Sequence, residues 1–418
     1  MGAAAKSRPR RNRRSAQNVV QAVVPALRWN GVARHGSAGM AFLQSGMTRP
    51  VPSAAAPWPG ALPMHIVQTI REGGGWLPFD RFMALALYAP GLGYYSGAPP
   101  KFGVLPSSGS DFVTAPELSP LFGRALARQL RQALQATGTD TVWEFGAGSG
   151  ELAAQLLGEL GDAVRRYAIV DVSGALRARQ RERLSPHAGT VEWLGALPEE
   201  MHGVVLGNEV LDAMPVQLLH FDGVQWFERG VGEASGAFVW ADRPTALRPP
   251  STDVIEREVE PGTVTELHLQ AEAFIATVAS RLLRGAAFFI DYGFPEAEYY
   301  HPQRCGGTLM CHRGHRADTD PLVDVGAKDI TAHLNFTGLA LAAQAAGLDV
   351  IGYTSQARFL MNCGLLELLE GADLRTTANA QKLLTEHEMG ELFKVLALAR
   401  GAAFEPLGFV RGDRRHTL

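Results

Sequence analysis

The stretch TVWEFGAGSGEL, residues 141–152, constrains this chain more than any other. A short apolar run carries one acid, Glu144, and then Gly146, Gly148 and Gly150 alternate with Ala147 and Ser149. Such a run bounded by glycines reads as a buried strand, and the helical pattern that follows starts near Gly150. The glycines let the backbone turn sharply and approach a ligand with no Cβ in the way. The chain therefore contains a strand, loop and helix unit built to cradle a nucleotide-like molecule.

Further apolar runs repeat the theme. RYAIVDV, VEWLG, GVVLGNEV and AAFFIDYG read as strands, and GELAAQLLGEL and SGALRARQRERL as helices between them. Alternation of this kind predicts a doubly wound α/β sheet, whose ligands sit at the carboxyl ends of the strands. VQWFERGVG and GAFVWADR predict antiparallel strands inside an insertion at about residues 221–262. Upstream, Phe79 to Leu87 has helical spacing. Ser119 and Pro120 look like the cap and first position of a helix whose inner face is Phe122, Leu126, Leu130 and Leu134. The expected organisation is a leader at 1–63, a helical segment at 64–138 covering the site, and a core at 139–418 with a lid-like stretch at about 296–336.

Composition narrows the classes. A net charge of −3 gives no general argument for nucleic-acid binding. Cys305, Cys311 and Cys363 form neither a CxxC pair nor an even disulfide set, which suits a reducing compartment and predicts no metal site. Apolar stretches such as TGLALAAQAAGL fall short of the roughly 20 residues of a membrane span. No acid precedes Glu72, while Lys6, Arg8, Arg10, Arg11, Arg13 and Arg14 crowd the start. Two accounts fit: an organelle transit peptide, or an in-frame extension upstream of Met40, Met47 or Met64. The excess of Arg over Lys along the whole chain favours the second, and with it a bacterial cytoplasmic setting over a mitochondrial matrix.

The glycine spacing discriminates among nucleotides. A dinucleotide fingerprint, G-x-G-x-x-G, needs glycine at 151, where Glu151 stands and would repel a pyrophosphate. A nicotinamide oxidoreductase is thereby disfavoured. Glu-x-Gly-x-Gly-x-Gly instead resembles the first motif of class I S-adenosylmethionine methyltransferases, whose ligand carries no phosphate. Asp171, 25 residues after Gly146 at the end of a strand, can accept hydrogen bonds from both ribose hydroxyls.

VVLGNEVLDAMP places Asn208, Glu209 and Asp212 just beyond the fourth strand. Methyl transfer is an in-line displacement that depends on positioning the nucleophile. A guanidinium, with a pKa above roughly 12, needs oxygens that fix its plane and hold its charge. Glu209 and Asp212 fit that catalytic role and Asn208 adds an amide oxygen; Asp212 has the alternative of capping a helix. Residues 307–336 carry His312, His315 and His333 without HExxH or paired-Cys spacing, and read as a loop over the crevice rather than a metal site.

In order along the chain, LALYAPGLGYYS, SDFVTAPELSPLFG, EFGAGSGELA, IVDVSGALRARQ, NEVLDAMPV, IDYGF, GTLMCHRGH, DPLVDVGAKDITAHLNF and MGELFKVLA resemble the MidA (DUF185) family. That likeness runs from about Gly75 to Arg400. It implies a class I methyltransferase fold, Rossmann-like, with an N-terminal helical extension and an inserted β/α segment. It further implies S-adenosyl-L-methionine as donor and, as in the family's mitochondrial members, symmetric dimethylation of an arginine in a complex I subunit or similar protein. Carried onto this sequence, Glu144, Gly146, Ala147, Gly148, Gly150, Asp171, Val172 and Asn208 form the donor set. Thr114, Pro116 and Glu117 belong to a segment expected to close over the donor or acceptor site, with Thr114 and Glu117 among the donor-binding residues. Asp171 stands where the family commonly has Glu, and Asn335 where many relatives carry Asp. His315, His333 and Asn335 are candidates for the acceptor side. A non-catalytic assembly factor and a methyltransferase of another acceptor remain alternative readings, and the partners expected are a protein substrate and a second copy of the chain, with no nucleic acid.

Overall fold

The structure, a computed structural model, describes residue 58 and residues 60–96, 114–171, 174–250 and 259–418. Most of the expected leader, residues 1–57, and Val172 lie outside the described residues.

Seven strands make the central sheet: β1 (Thr141–Phe145), β2 (Arg166–Val170), β3 (Val191–Leu194), β4 (Met201–Asn208), β5 (Leu282–Phe294), β6 (Asp349–Ser355) and β7 (Phe393–Arg400). Their spatial order is β6-β7-β5-β4-β1-β2-β3, and the far end of β5 also pairs with Leu334–Asn335. The pairs from β5 to β3 are parallel, while β7 runs antiparallel to both neighbours. This is the Rossmann-like doubly wound class expected from the alternating strand and helix signals.

Burial on both faces explains why these strands read as continuous apolar runs. Along β5, Ala286, Phe288 and Ile290 face one core while Ala287 and Phe289 face the other. The first core is completed by the helices α3 (Pro120–Thr137) and α4 (Glu151–Leu160), the second by α6 (Leu269–Arg281) and α7 (Phe336–Ala345); α5 (Gly174–Arg183) links β2 to β3. Full burial of a Phe such as Phe288 or Phe289 contributes roughly 1.5–3 kcal/mol. α3 starts where Ser119 Oγ accepts the Leu121 N–H and stops at Gly138 in the left-handed region. Phe122, Leu126, Leu130 and Leu134 line its buried face.

A second sheet pairs Gln217–Phe221, Trp226–Ala234, Ala237–Pro244 and Val264–Leu267 with Leu77–Pro78 of the N-terminal segment. Its hydrophobic core joins α1 (Ala61–Glu72) and α2 (Phe79–Tyr88) to Val216, Leu218, Val231 and Phe238 in and beside that sheet, and to Cys311, Ile330 and Ala332. Three parts that are distant in sequence thus build one layer, and the expected boundaries shift accordingly. The folded part begins before residue 64, because Leu62 is buried and the Trp58 ring lies 4.4 Å from that of Phe238. The insertion is wider than 221–262, since its flanking strands belong to the same sheet. The stretch 296–336 is a packed element with its own three-stranded sheet, Met310–Arg313, Arg316–Asp318 and Asp329–Thr331, rather than a detached lid.

Candidate active site

The glycine loop leaves β1 with Gly146, Gly148 and Gly150 all at positive φ, 63°, 53° and 83°. A Cβ at Gly146 would stand 2.8 Å from Val210 Cγ2, so any side chain there forces Val210 to shift. Beneath the loop, Glu144 is buried and accepts the Tyr167 hydroxyl at 2.9 Å. Burial, with the nearby Asp171 charge, pushes its carboxyl up to about 8 against the opposing Tyr167 bond. Asp171 is also buried at the end of β2, where its Oδ2 accepts the Gln180 amide at 2.8 Å. Ala147 is buried within the loop.

The Thr114–Glu117 segment lies across this loop. Ser149 donates to Glu117 Oε1, the Gln155 amide donates to the Pro116 carbonyl at 2.8 Å, and the Ala115 N–H reaches the Glu209 carboxylate. Thr114 sits half-buried at the start of the short helix Ala115–Leu118. One segment therefore touches both the glycine loop and the acids beyond β4, which are brought together by the parallel register of Phe145 with Gly207.

Glu209 adopts φ 53°, a left-handed conformation that costs energy in a residue other than glycine. Its N–H donates to the Ile290 carbonyl at 2.9 Å and its Oε1 accepts the Asn208 amide at 3.0 Å. Burial and the Asp291 charge push the Glu209 carboxyl up to about 8. Asp212 is buried as well, and burial together with Asp291, Asp329 and Glu209 raises its carboxyl. Asp212 does not cap a helix: a turn follows, and the Asp212 carbonyl accepts the Ala332 N–H at 3.0 Å. Among the described residues no Lys or Arg forms an ion pair with Glu209, Asp212 or Asp291.

Five further residues line this region without a motif to mark them: Asp291, Asp329, Tyr88, Tyr95 and Gln180. Asp291 Oδ2 accepts the backbone N–H groups of Val210, Leu211 and Asp212, at 3.2, 2.9 and 3.3 Å, and so shapes the post-β4 loop. Tyr95 donates to the Asp329 carboxylate at 2.9 Å, and Tyr88 donates to the Ala213 carbonyl at 2.9 Å. Burial, then the charges of Asp329, Asp212 and Asp171, raises the Tyr88 hydroxyl. The one local signal is Asp291 itself, an acid ending the apolar run AAFFI.

The acceptor-side candidates fare differently. Asn335 is buried and caps α7 through Oδ1 and the Gly338 N–H at 3.2 Å, while its amide faces Glu296. Exposed His315 sits at positive φ in the turn between Met310–Arg313 and Arg316–Asp318, a hairpin-tip role that explains its position. His333 is half-buried with its ring parallel to Tyr292, centroids 5.7 Å apart, and burial brings it down to about 4. Among the described residues no His, Cys, Asp and Glu group is arranged to hold a metal ion, and no helix is long and apolar enough to cross a membrane.

Residues 125–354, more than half of the chain, match the family described as "Putative S-adenosyl-L-methionine-dependent methyltransferase". The chain belongs to this family. Its donor is S-adenosyl-L-methionine and its chemistry is methyl transfer. The chain is 53% identical to a Burkholderia thailandensis protein whose crystal structure is bound to S-adenosyl-homocysteine; the match covers 87% of this chain and 100% of that one, with a TM-score of 0.83. It is also similar to the mitochondrial protein arginine methyltransferase NDUFAF7 of Danio rerio, 29% identical over 394 residues, covering 82% of this chain and 88% of the relative. The Homo sapiens counterpart is 25% identical over 388 residues, covering 80% and 82%. The MidA-type methyltransferase resemblance drawn from the motif series therefore stands.

Proposed function

We propose that this methyltransferase acts on arginine side chains of a protein, and that the acids beyond β4 hold the guanidinium. The observation that carries this reading is the cluster of Glu209, Asp212, Asp291 and Asp329 beside the glycine loop. A cluster of carboxyls raised by burial and by one another is short of positive charge. An entering guanidinium supplies it, staying protonated while the carboxyls ionise around it.

The residues present fit the donor. S-adenosyl-L-methionine, when bound, supplies an electrophilic methyl on a sulfonium. Gly146, Gly148 and Gly150 would hold it by backbone, Asp171 by its ribose hydroxyls, and Asn208 by the amino-acid tail. Among the described residues, buried Asn208 Oδ1 has no hydrogen-bond partner, as an oxygen that receives an ammonium group would. Glu209 and Asp212 then orient the guanidinium and steady its charge, and Thr114 to Glu117 exclude water from the space between loop and acids.

The resemblance to the mitochondrial arginine methyltransferases supports a protein acceptor, with a respiratory complex I subunit or a comparable protein as the first candidate and symmetric dimethylation as its product. Incubation of the protein with labelled donor and cell extract, followed by mapping of the labelled peptides, tests this. Label on arginine is expected; label confined to lysine, carboxyl groups or small molecules overturns the arginine reading.

A further inference from the structure

Gln180 lies on α5, nine residues beyond Asp171, and is fully buried between the glycine loop and the strand ends. Its Nε2 donates to the Gly148 carbonyl at 3.0 Å and to Asp171 Oδ2 at 2.8 Å. Its Oε1 accepts the Trp193 indole N–H at 3.0 Å. The orientation of this amide follows from chemistry alone. An indole N–H only donates, and a carbonyl and a carboxylate only accept, so no other assignment satisfies all three partners. Gly150 packs on the same side chain, for a Cβ there would meet Gln180 Cα and Cγ at 3.5 Å.

Taking Asp171 as the residue that binds the ribose hydroxyls, we infer that Gln180 is a positioning residue for the donor. One amide ties the glycine loop to Asp171 and fixes the carboxylate that faces the ribose. The short Asp171 side chain makes this support consequential. Its Oδ2 is held by Gln180, and its own carbonyl is held by Arg177 at 2.7 Å, so both ends of the residue are anchored from α5.

The test is calorimetric and needs no turnover. S-adenosylhomocysteine and its 2′-deoxy analogue are titrated into the full chain, as wild type, Gln180→Met and Gln180→Glu. Wild type is expected to prefer the hydroxylated ligand. Gln180→Met is expected to weaken S-adenosylhomocysteine by about 10-fold or more, in the range of supporting-residue losses, and the deoxy analogue by less, so that the preference shrinks. Gln180→Glu, which keeps the shape, is expected to bind S-adenosylhomocysteine weakly at pH 8. It should recover in part on acidification, as the introduced carboxyl regains a proton to donate. Equal losses for both ligands in Gln180→Met, or affinities in Gln180→Glu that match wild type at pH 8, overturn the inference and leave the Asp171 reading intact. A wild type that does not distinguish the two ligands overturns both.

Discussion

Asp291 receives the Leu211 N–H at 2.9 Å across 80 residues of chain, and the same oxygen takes the N–H groups on either side. The loop carrying Glu209 and Asp212 is thus wrapped around a carboxylate from the next strand. Removing that oxygen leaves three N–H groups without their acceptor, at about 1–3 kcal/mol for each that stays dry. Asp291→Ala should therefore lower the denaturant midpoint sharply and abolish transfer. Asp291→Asn, which keeps one oxygen, should lose less stability. Equal stability of Asp291→Ala and wild type would remove Asp291 from this role.

Gly146→Ala offers a second test. The new methyl would press on Val210, adjacent to Glu209, and the residue would sit at φ 63°. The left-handed conformation alone costs about 1–2 kcal/mol. Donor affinity measured by calorimetry should fall; affinity unchanged from wild type would mean the loop does not approach the donor.

Two buried carboxyls, Glu144 and Asp291, and the half-buried Glu209 set the direction of pH dependence. Glu144 and Glu209 each lie at about 8 and Asp291 at about 7, all above their values in an unfolded chain. The folded protein holds protons there that the unfolded chain releases, so this contribution is complete below about pH 4 and is lost as pH rises toward 8. The melting temperature of the free protein should fall between pH 5 and 8, with a shallower slope in Glu144→Gln. A slope unaffected by that substitution would contradict the assignment to Glu144.

Asn335→Ala should cost about 1 kcal/mol, the usual loss of a helix cap, with kcat and KM for the protein acceptor unchanged after correction for folded fraction. A rise in acceptor KM without loss of stability would restore Asn335 to the acceptor side.

The strands, the helix at 120–137 and the glycine loop were legible because each is written in consecutive residues: apolar runs, a capping Ser, glycines at fixed offsets. The position of Glu209 and Asp212 just past the end of β4 was legible from the apolar run before them. What was hidden depends on partners that no local pattern connects. Tyr95 meets Asp329 across 234 residues, and Leu77 pairs with Val231 in a sheet whose strands come from either side of the core's first half. The cap at Asn335 was not legible either, because a polar residue before an apolar helix serves a cap and a ligand site equally well in sequence, and the bond from the Gly338 N–H appears only in the fold.

On the proposed function, the acids beyond β4 hold a guanidinium acceptor without binding the donor themselves. Transfer of labelled methyl to protein arginine, measured alongside calorimetric donor affinity for wild type and Glu209→Gln, tests it most directly. Glu209→Gln should lower kcat/KM about 10²-fold or more, the scale of a lost orienting group, with donor affinity within about threefold of wild type, a difference under roughly 0.7 kcal/mol. Transfer to arginine at the wild-type rate in Glu209→Gln would contradict it.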